Sequence, residues 1–333
     1  MVQLMVYNPL KKITVIPIAD ESFGVRSMCT YIETKDVKVL IDPGVSLGPR
    51  FSLLPHPVEY NALRESRKRI EEFSEKAEVL TISHYHFDHV TPTFTDYTWN
   101  WSSPGAARRV YGDKLVLAKS IRSNVNPSQR RRGWILRKTT EKYVKEVKIA
   151  DGKTYDFKDT HLTFSPPVFH GEAGTYLGWV LMLTVSCGEE KVMHASDVQG
   201  PITHAAMNLI LEENPDLLLI GGPPAYLSGY KVSNFSIEKG INNLKVLAEK
   251  TSLIIVMHHL LRDEKWRELS KPVFEAAEKV GHKVVTAAEF VGKTEGFFEY
   301  QRSGLYEKQQ PSEEFIRWTR LPRLKRKETE PPL

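Results

Sequence analysis

The sequence predicts an α/β (α+β) protein in which helices cover β-sheets. Short apolar runs rich in β-branched residues recur along the chain, and several stretches with helical spacing separate them. The chain has 333 residues, 41% of them hydrophobic, which is enough for a large buried core. No internal repeat is visible, so we expect one domain spanning residues 1–333.

The N-terminal part contains three predicted strands, a helix and a fourth strand. The strands are "KITVIPIAD", "RSMCTYIET" and "VKVLID". The stretch "PHPVEYNALRESRKRIEEFSEKAE" then carries apolar residues at helical spacing, including Leu63, Ile70 and Phe73. The short apolar strand "EVLTIS" follows this helix.

The C-terminal part continues the mixture of strands and helices. Its predicted strands are "HLTFSPPVFHG", "YLGWVLMLTVS", "KVMHAS", "DLLLIGG", "SLIIVMHH" and "HKVVTA". The predicted helices between the later strands are "SIEKGINNLKVLAEK" and "EKWRELSKPVFEAAEKV".

Composition bears on the cellular compartment. No run of eighteen apolar residues occurs, and "MVQLMVYNPLKK" has no basic segment leading into an apolar export signal, so we expect a soluble cytoplasmic protein that does not bind membranes. Cys29 and Cys187 lie far apart in strand-like sequence and are expected to be buried free thiols. Two cysteines are too few to be the main ligands of a metal.

Positive charge is concentrated in two segments. Residues 96–140 contain ten Lys or Arg against two Asp, although the net charge of the whole chain is only +5. We expect a basic, partly helical insertion at 95–150 that could cap a site, with a helix beginning at Asn126-Pro127. A second basic cluster, "RWTRLPRLKRKE", lies in an extension at 297–333, whose last residues, "TEPPL", are predicted to be disordered.

One short stretch holds an unusual density of metal-ligand side chains. "LTISHYHFDHVTP" places His84, His86, Asp88 and His89 within six positions, directly after a predicted strand. Other ligand-type side chains also stand at the ends of predicted strands, where a rigid sheet can orient them: Asp42, His170, Asp197, and the pair His258 and His259. We therefore expect five strand ends to converge on one site.

This pattern resembles the metallo-β-lactamase superfamily. The H-x-H-x-D-H motif, the strand-end Asp before it and the separate His, Asp and His after it occur in the superfamily's order between residues 13 and about 287. "RSMCTYIETKDVKVLIDPGVSLGPR", "SHYHFDHVTP", "GGPPAYL" and "HHLLRD" resemble more narrowly an archaeal group of predicted metal-dependent hydrolases.

The resemblance implies a four-layer αββα sandwich with a site for two metal ions. His84, His86 and His170 would bind the first ion, and Asp197 would bridge the two. Asp88, His89 and one histidine of the pair His258 and His259 would bind the second. Independently, imidazoles and carboxylates suit two divalent ions, zinc first and manganese or iron as alternatives. A water activated by two metals makes hydrolysis the expected reaction.

Several roles stay open at this stage. His258 is the preferred last ligand, which leaves His259 as a proton donor or phosphate contact, but the reverse is also compatible with the sequence. Asp88 is a further candidate catalytic residue. Asp42 either orients a ligand histidine or is an ordinary turn residue before Pro-Gly. The remaining histidines are expected to be structural or exposed: His56, His161, His194, His204 and His282.

The basic insertion is the main indication of substrate. Arg130, Arg131 and Arg132 with nearby tryptophans suit phosphate or nucleic acid, although a charge run is more often a solvated helix face. In "GGPPAYLSG", Tyr226 or Ser228 could reach substrate. Three functions follow: a hydrolase of a phosphodiester or RNA, a lactone or thioester hydrolase, and a non-catalytic nucleic-acid-binding protein with structural metals. The oligomeric state stays open.

Overall fold

The computed structural model describes residues 10–333. Residues 1–9, which include most of the stretch tested above for an export signal, lie outside the described residues. Fifteen strands are found in that part of the chain: β1 (Thr14–Pro17), β2 (Thr30–Glu33), β3 (Lys38–Ile41), β4 (Val79–Ile82), β5 (Leu115–Ala118), β6 (Glu146–Ile149), β7 (Thr154–Phe157), β8 (Thr160–Phe164), β9 (Val168–Phe169), β10 (Trp179–Val180), β11 (Leu183–Cys187), β12 (Glu190–His194), β13 (Leu217–Gly221), β14 (Leu253–Met257) and β15 (Lys283–Thr286).

Eleven α-helices accompany these strands between residues 10 and 333: α1 (Pro57–Lys76), α2 (Pro104–Tyr111), α3 (Pro127–Thr140), α4 (His204–Glu213), α5 (Asn234–Ala248), α6 (Trp266–Leu269), α7 (Lys271–Lys279), α8 (Ala287–Phe290), α9 (Phe298–Lys308), α10 (Glu313–Thr319) and α11 (Arg323–Glu328). Short 3₁₀ turns occur at Glu21–Phe23, Ala225–Leu227 and His258–Arg262. None of the described helices combines the length and the apolar character needed to cross a bilayer.

Two large sheets form the centre of the molecule. The first has the order β1-β2-β3-β4-β5-β6, and the second has the order β15-β14-β13-β12-β11-β8-β7. Strands β3 to β6 are mutually parallel, as are β12 to β15, while the remaining neighbours in the two large sheets pair antiparallel. Strands β9 and β10 form a separate antiparallel pair.

Alternate side chains of the two sheets meet in a shared core. Val39 and Ile41 of the first sheet belong to the same buried cluster as Leu217, Leu219 and Ile255 of the second. This alternation is the expected consequence of the two-residue period of a strand.

The outer faces of both sheets are covered by helices. Leu63 and Ile70 of α1 pack with Leu40 and Leu80 on the first sheet, and α4, α5 and α7 cover the second sheet in the same way. The structure is therefore the predicted four-layer αββα sandwich.

The basic segment 95–150 is partly helical and also contributes strands. It contains α2, β5, α3 and β6, so two strands of the first sheet lie within it. Helix α3 begins at Pro127 with the Asn126 side chain accepting a hydrogen bond from the Gln129 backbone N–H, as its sequence predicts.

The C-terminal extension packs against the first helical layer. Phe315 and Trp318 of α10 contact Tyr60 of α1, with ring centroids 5.8 and 5.3 Å away. The chain end, for which the sequence predicts disorder, makes defined contacts: the Trp318 indole N–H donates to the Thr329 carbonyl at 2.9 Å, and Pro331 is buried.

Candidate metal centre

The H-x-H-x-D-H motif forms a tight loop at the end of β4. The backbone N–H groups of His89 and Val90 both donate to the His86 carbonyl at 3.0 Å, which turns the loop back on itself. His84 and His89 are fully buried, whereas His86 and Asp88 are partly exposed. One loop thus presents ligand-type atoms both to the interior and to an open cavity.

The other predicted strand-end residues meet this loop. His170 follows β9, Asp197 follows β12 by three residues, and His258 follows β14 directly. Ligand atoms lie within 4.8 Å of one another in several groups: His84, His86, His170 and Asp197; Asp88, His89 and His258; Asp197, His258 and His259; and Asp42, His84 and His89. The predicted convergence of five strand ends is therefore present.

The buried atoms at this cluster fit a bound cation. The Nε2 atoms of His89, His170 and His259 and the Oδ1 atom of Asp197 are buried without a hydrogen-bond partner of acceptable geometry. Leaving such atoms unpaired costs about 1–3 kcal/mol each, so four at one point need an explanation. Divalent ions such as zinc accept this set of imidazole and carboxylate donors.

Asp42 orients two of the motif histidines. Its Oδ2 atom accepts a hydrogen bond from Nδ1 of His89 at 2.8 Å and another from the Ser83 hydroxyl. The Ser83 oxygen can in turn accept from Nδ1 of His84 at 2.9 Å. Both rings then direct their Nε2 atoms at the cluster, which favours the orienting role of Asp42 over that of a simple turn residue.

Gly44 allows the Asp42 loop to lie against the motif. A Cβ atom at Gly44 would collide with backbone atoms of His89 and Val90. Because the obstacle is backbone, no side-chain movement could relieve the contact. This explains the Gly that follows Asp42-Pro43.

His258 and His259 differ in what holds their Nδ1 atoms. Nδ1 of His258 lies 2.9 Å from Oε1 of Glu21, a carboxylate that can only accept, so Nδ1 keeps its proton and Nε2 is the nitrogen that can be freed for a cation. Nδ1 of His259 lies 3.2 Å from Nη1 of Arg262, which can only donate. His259 Nδ1 is therefore the acceptor, and its Nε2–H faces the cluster.

Arg262 is the main charged residue of the site that the sequence did not single out. It is 3% exposed, and its guanidinium pairs with Glu21 at 2.7 Å. Nη2 lies 3.1 and 3.2 Å from the two ring nitrogens of His258. Nη1 donates to the Tyr226 hydroxyl at 3.2 Å. Arg262 thus holds both histidines of the pair and Tyr226.

Electrostatics divide the ligand-type residues into two groups. Burial lowers the pKa of His86 to about 3 and holds the pKa of His84 well below its usual range, so both imidazoles are neutral. Burial raises the pKa of Asp197, but the facing His258 and His89 outweigh it and hold that pKa well below its usual range. Burial lowers the pKa of His89 and of His258 as well, but Asp197 outweighs it and raises the first well above its usual range and the second to about 9. Because divalent cations bind neutral imidazoles, His84 and His86 are ready for a cation, whereas His89 and His258 must release a proton to it.

Left-handed backbone occurs repeatedly at the site. Asp42, Ser196, Gln199 and His258 have φ values of 47, 54, 56 and 61°. Such conformations are costly for residues other than glycine and persist where the surrounding structure imposes them. Here they bend the chain at three strand exits toward the cluster.

A cavity of about 440 Å³ opens over the cluster. His86, Asp88, His170, Asp197 and His259 line its floor. Its walls come from the 172–177 loop and from a segment that includes Tyr226, Leu227, Lys231 and Val232. Ser228 is bonded to Asn234 at 2.6 Å and does not line this cavity, so of the two predicted residues Tyr226 is the one in position.

The three predicted arginines are not equivalent. Gln129, Gly133 and Leu136 face the protein from α3, and this helical spacing turns Arg130 and Arg131 to solvent. Neither lines the cavity over the cluster. Arg132 alone reaches the motif loop, where its guanidinium lies 4.5 Å from the centre of the Phe87 ring.

The remaining histidines and both cysteines lie apart from the ligand groups. His194 is buried with Nε2 3.0 Å from the Met28 carbonyl, His56 caps α1, and His204 is exposed. His161 and His282 bond to Asp156 and to the Ala248 carbonyl. Cys29 and Cys187 are buried free thiols, as expected.

Besides Arg262, three contributors to the site were missed: Glu21, Ser83 and Gln199. Asp20 and Glu21 follow the apolar run "KITVIPIA", and that strand-exit position could have pointed to Glu21. Arg262 lies four residues after His258 within "HHLLRD", one helical turn away. Nothing in the sequence distinguishes Ser83 or Gln199 from ordinary polar loop residues.

The chain is similar in sequence to known proteins. No family model matches the chain. A UPF0282 protein of Methanopyrus kandleri is 44% identical over 292 residues, covering 87% of this chain and 98% of that protein. The chain belongs to the UPF0282 family. A second UPF0282 protein, from Methanocaldococcus jannaschii, is 43% identical over 84% of this chain and 91% of its own length.

Solved structures place this UPF0282 protein in a known fold. Unliganded yeast PDE1 superposes with a TM-score of 0.50 at 12% identity, covering 83% of this chain and 98% of that one. The metallo-β-lactamase fold protein YhfI of Bacillus subtilis gives 0.47 at 11% identity over 83% and 96%. The UPF0282 protein has the predicted metallo-β-lactamase fold, and both of these UPF0282 relatives come from archaea, as the resemblance implied.

Proposed function

We propose that this UPF0282 protein is a metal-dependent hydrolase of a phosphodiester. The observation that carries the proposal is the set of three unpaired buried ligand-type atoms, Nε2 of His89 and of His170 and Oδ1 of Asp197, at an open cavity that His170 and Asp197 line. Buried ligand atoms could equally bind a structural metal. A structural metal site, however, needs no opening to solvent. An open cavity gives water and substrate access to the ions.

The ligand sets follow from the orientation of each ring. His84, His86 and His170 would hold one ion, and Asp88, His89 and His258 the other, with Asp197 between them. His258 is assigned over His259 because Glu21 holds the proton on its Nδ1, so that Nε2 is the nitrogen that would release its proton and bind the ion. Two bound divalent ions, zinc or alternatively manganese or iron, would supply Lewis acidity that activates water and stabilises developing negative charge.

The chain's own groups would position the substrate. Nε2–H of His259 is a neutral hydrogen-bond donor beside the cluster, held in place by Arg262 and Tyr226. It can donate to a substrate oxygen, and if protonated it can pass a proton to a leaving group. Asp88 is 18% exposed at its side chain and faces the same cavity, where its carboxylate can accept a hydrogen bond from water or substrate.

Positive groups at the cavity favour phosphate. Lys231 lies on the cavity wall, and Arg132 sits beside the motif loop, close enough to interact with Asp88. A phosphodiester anion gains from these cations and from the His259 N–H. Arg130 and Arg131, by contrast, supply no contact at the metals.

A second candidate is hydrolysis of a lactone or thioester. Leu177, Leu227 and Val232 make part of the cavity wall apolar, which suits the carbon chain of such a substrate. The same activated water would attack a carbonyl carbon.

Turnover of model substrates tests these proposals. We expect the full-length protein loaded with zinc, manganese or iron to hydrolyse bis(p-nitrophenyl) phosphate and the His86→Ala variant to lose this activity. Preferential hydrolysis of lactones or thioesters would establish the second candidate. Absence of turnover with every metal and both substrate classes would contradict hydrolysis and leave the non-catalytic nucleic-acid-binding protein.

A further inference from the structure

Helix α3 carries a second cleft, apart from the metal cavity. It has a volume of about 550 Å³ and runs between α3 and the chain leading into β6. Arg122, Trp134, Arg137 and Lys138 line it, and apolar side chains such as Val147 form part of its floor. We use the name α3 surface for this cleft together with Arg130 and Arg131.

The α3 surface is strongly basic. Between residues 122 and 148 the chain has nine Lys or Arg against two Glu, Glu141 and Glu146. Glu141 lies 3.4 Å from Lys138, but both side chains are more than half exposed, so this pair is weak. Glu146 is similarly paired with Lys148 at 3.2 Å. The field over the cleft therefore stays positive.

An exposed aromatic ring lies within this positive surface. Trp134 is 55% exposed, although tryptophan is usually buried for most of its area. A ring in a basic cleft with an apolar floor can stack on a flat, uncharged group while the surrounding arginines pair with anions. An alternation of phosphate and base along a single strand offers both groups.

The N-terminal end of α3 joins the rim of the metal cavity. The Asn126 side-chain amide donates to the carbonyls of Tyr176 and Leu177 at 2.9 and 2.8 Å. The Gln129 amide donates to the Leu177 carbonyl at 2.6 Å. Tyr176 and Leu177 line the metal cavity, and Tyr176 is 77% exposed. From Trp134 to Asn126 is eight residues, about 12 Å along the helix.

We propose that the α3 surface binds a single-stranded polynucleotide and directs its phosphodiester backbone toward the metal cavity. Arg137, Lys138 and Arg122 pair with backbone phosphates, and Trp134 stacks on a base. The strand then passes Arg130 and Arg131 to Tyr176 at the cavity rim. The cleavage part rests on the phosphodiesterase function proposed above, whereas binding to the α3 surface does not.

Fluorescence anisotropy with the full-length, metal-loaded protein tests binding. The probes are labelled single strands of RNA and of DNA, each of about 12 nucleotides, and a duplex of the same sequence. Arg137→Glu and Trp134→Ala are the test variants. Lys271→Glu is the matched control, because Lys271 is also exposed and basic but lies on α7 in the opposite helical layer.

We expect Trp134→Ala to weaken single-strand binding by about 10-fold, the loss of one stacked base. Arg137→Glu should weaken it by at least about 10-fold and reduce the slope of log affinity against log salt by about one. Lys271→Glu should bind like the wild type. All three should retain bis(p-nitrophenyl) phosphate turnover, since none of these side chains lines the metal cavity. Comparison of the affinities for the RNA and DNA single strands shows which backbone is preferred.

Two results would overturn the proposal. The first is equal single-strand affinity in Trp134→Ala, Arg137→Glu and Lys271→Glu. The second is displacement of the probe by polyglutamate with no dependence on Trp134, which would indicate an acidic protein partner. If binding depends on Trp134 and Arg137 while bis(p-nitrophenyl) phosphate is not cleaved, the α3 surface is supported and the proposed hydrolysis fails separately.

Discussion

Nη1 of Arg262 lies 3.2 Å from Nδ1 of His259, and this contact fixes which nitrogen of His259 carries the proton. Because a guanidinium offers only donors, the imidazole must accept at Nδ1 and present N–H at Nε2. His258 has the opposite arrangement through Glu21, at 2.9 Å. Two adjacent histidines thus have different chemical capacities.

We expect His258→Ala to lose one of two bound metal ions and His259→Ala to keep both. The reason is that Glu21 holds the proton of His258 on Nδ1 and leaves Nε2 for the ion, whereas Arg262 keeps the proton of His259 on Nε2. Elemental analysis of metal per chain after dialysis measures this, with exposed His204→Ala as the control. Loss of an ion in His259→Ala and retention in His258→Ala would reverse the assignment.

We expect Asp42→Ala to weaken metal binding by about 10- to 100-fold, because His89 loses the acceptor that orients its ring. Asp42→Asn keeps one oxygen acceptor and should lose less. Competition titration against a chromophoric chelator gives both affinities. If Asp42→Ala binds metal as tightly as the wild type, Asp42 acts only as a turn residue.

Replacement of Arg262 should destabilise the protein. Arg262→Met leaves the buried carboxylate of Glu21 without its ion-pair partner, and breaking such a pair costs about 3–5 kcal/mol. Arg262→Lys keeps the charge but not the forked geometry and should cost less. Urea unfolding measures the free energies, and an Arg262→Met variant as stable as the wild type would show that Glu21 finds another partner.

Acid should weaken the contact between α9 and the rest of the fold. Burial raises the pKa of Glu299, but Arg26, bonded at 2.6 Å, outweighs it and lowers that pKa from 4.5 to about 2. A lowered carboxylate pKa stabilises the fold above the unfolded value and loses this contribution as pH falls from about 4.5 toward 2. The shift corresponds to about 3 kcal/mol.

Glu299→Gln removes this titration. Urea unfolding at pH 6 and pH 3 should therefore show a smaller loss of stability on acidification in Glu299→Gln than in the wild type. The same loss in both proteins would mean that Glu299 contributes nothing to acid sensitivity.

Removal of metal should lower thermal stability. Chelation leaves the Asp197 carboxylate and its facing imidazoles without the cation that satisfies them, and metal at 100 times its Kd contributes about 2.7 kcal/mol. Thermal melts with and without a chelator measure the change. His86→Ala, with one donor fewer, should respond less, and an equal response in both would place the stabilising metal elsewhere.

Local pattern was sufficient for much of the fold. The helix through Leu63 and Ile70 appears as α1, and all ten strands predicted between residues 12 and 287 contain observed strands. Strands β5, β6 and β7 and helices α2, α4 and α8 to α11 were not predicted. Strand β6, Glu146–Ile149, alternates charged and apolar residues over only four positions, and its strand state depends on pairing with β5.

The site residues also fall into those that the sequence predicts and those that only the fold reveals. Ligand-type residues such as His84 and Asp197 could be predicted because their spacing and their positions at strand ends are visible in the sequence. Arg262 could not, because an arginine is usually exposed and only the fold buries this one against Glu21. The sequence also predicted substrate contacts for Arg130 and Arg131, which do not line the cavity, because local charge does not reveal which helix face meets the cavity.

Helix α9 forms buried ion pairs with residues near the start of the chain, so it must be synthesised before the fold is complete. Glu299 pairs with Arg26, and its neighbour in the helix, Arg302, is fully buried against Glu59 at 2.7 Å. Both partners of these late residues belong to the first fifth of the chain, and every ligand-type residue of the cluster is translated before α9. A ribosome-bound chain that has already emerged through His258 therefore still lacks these two ion pairs, and the mature fold is completed only after α9 has left the ribosome.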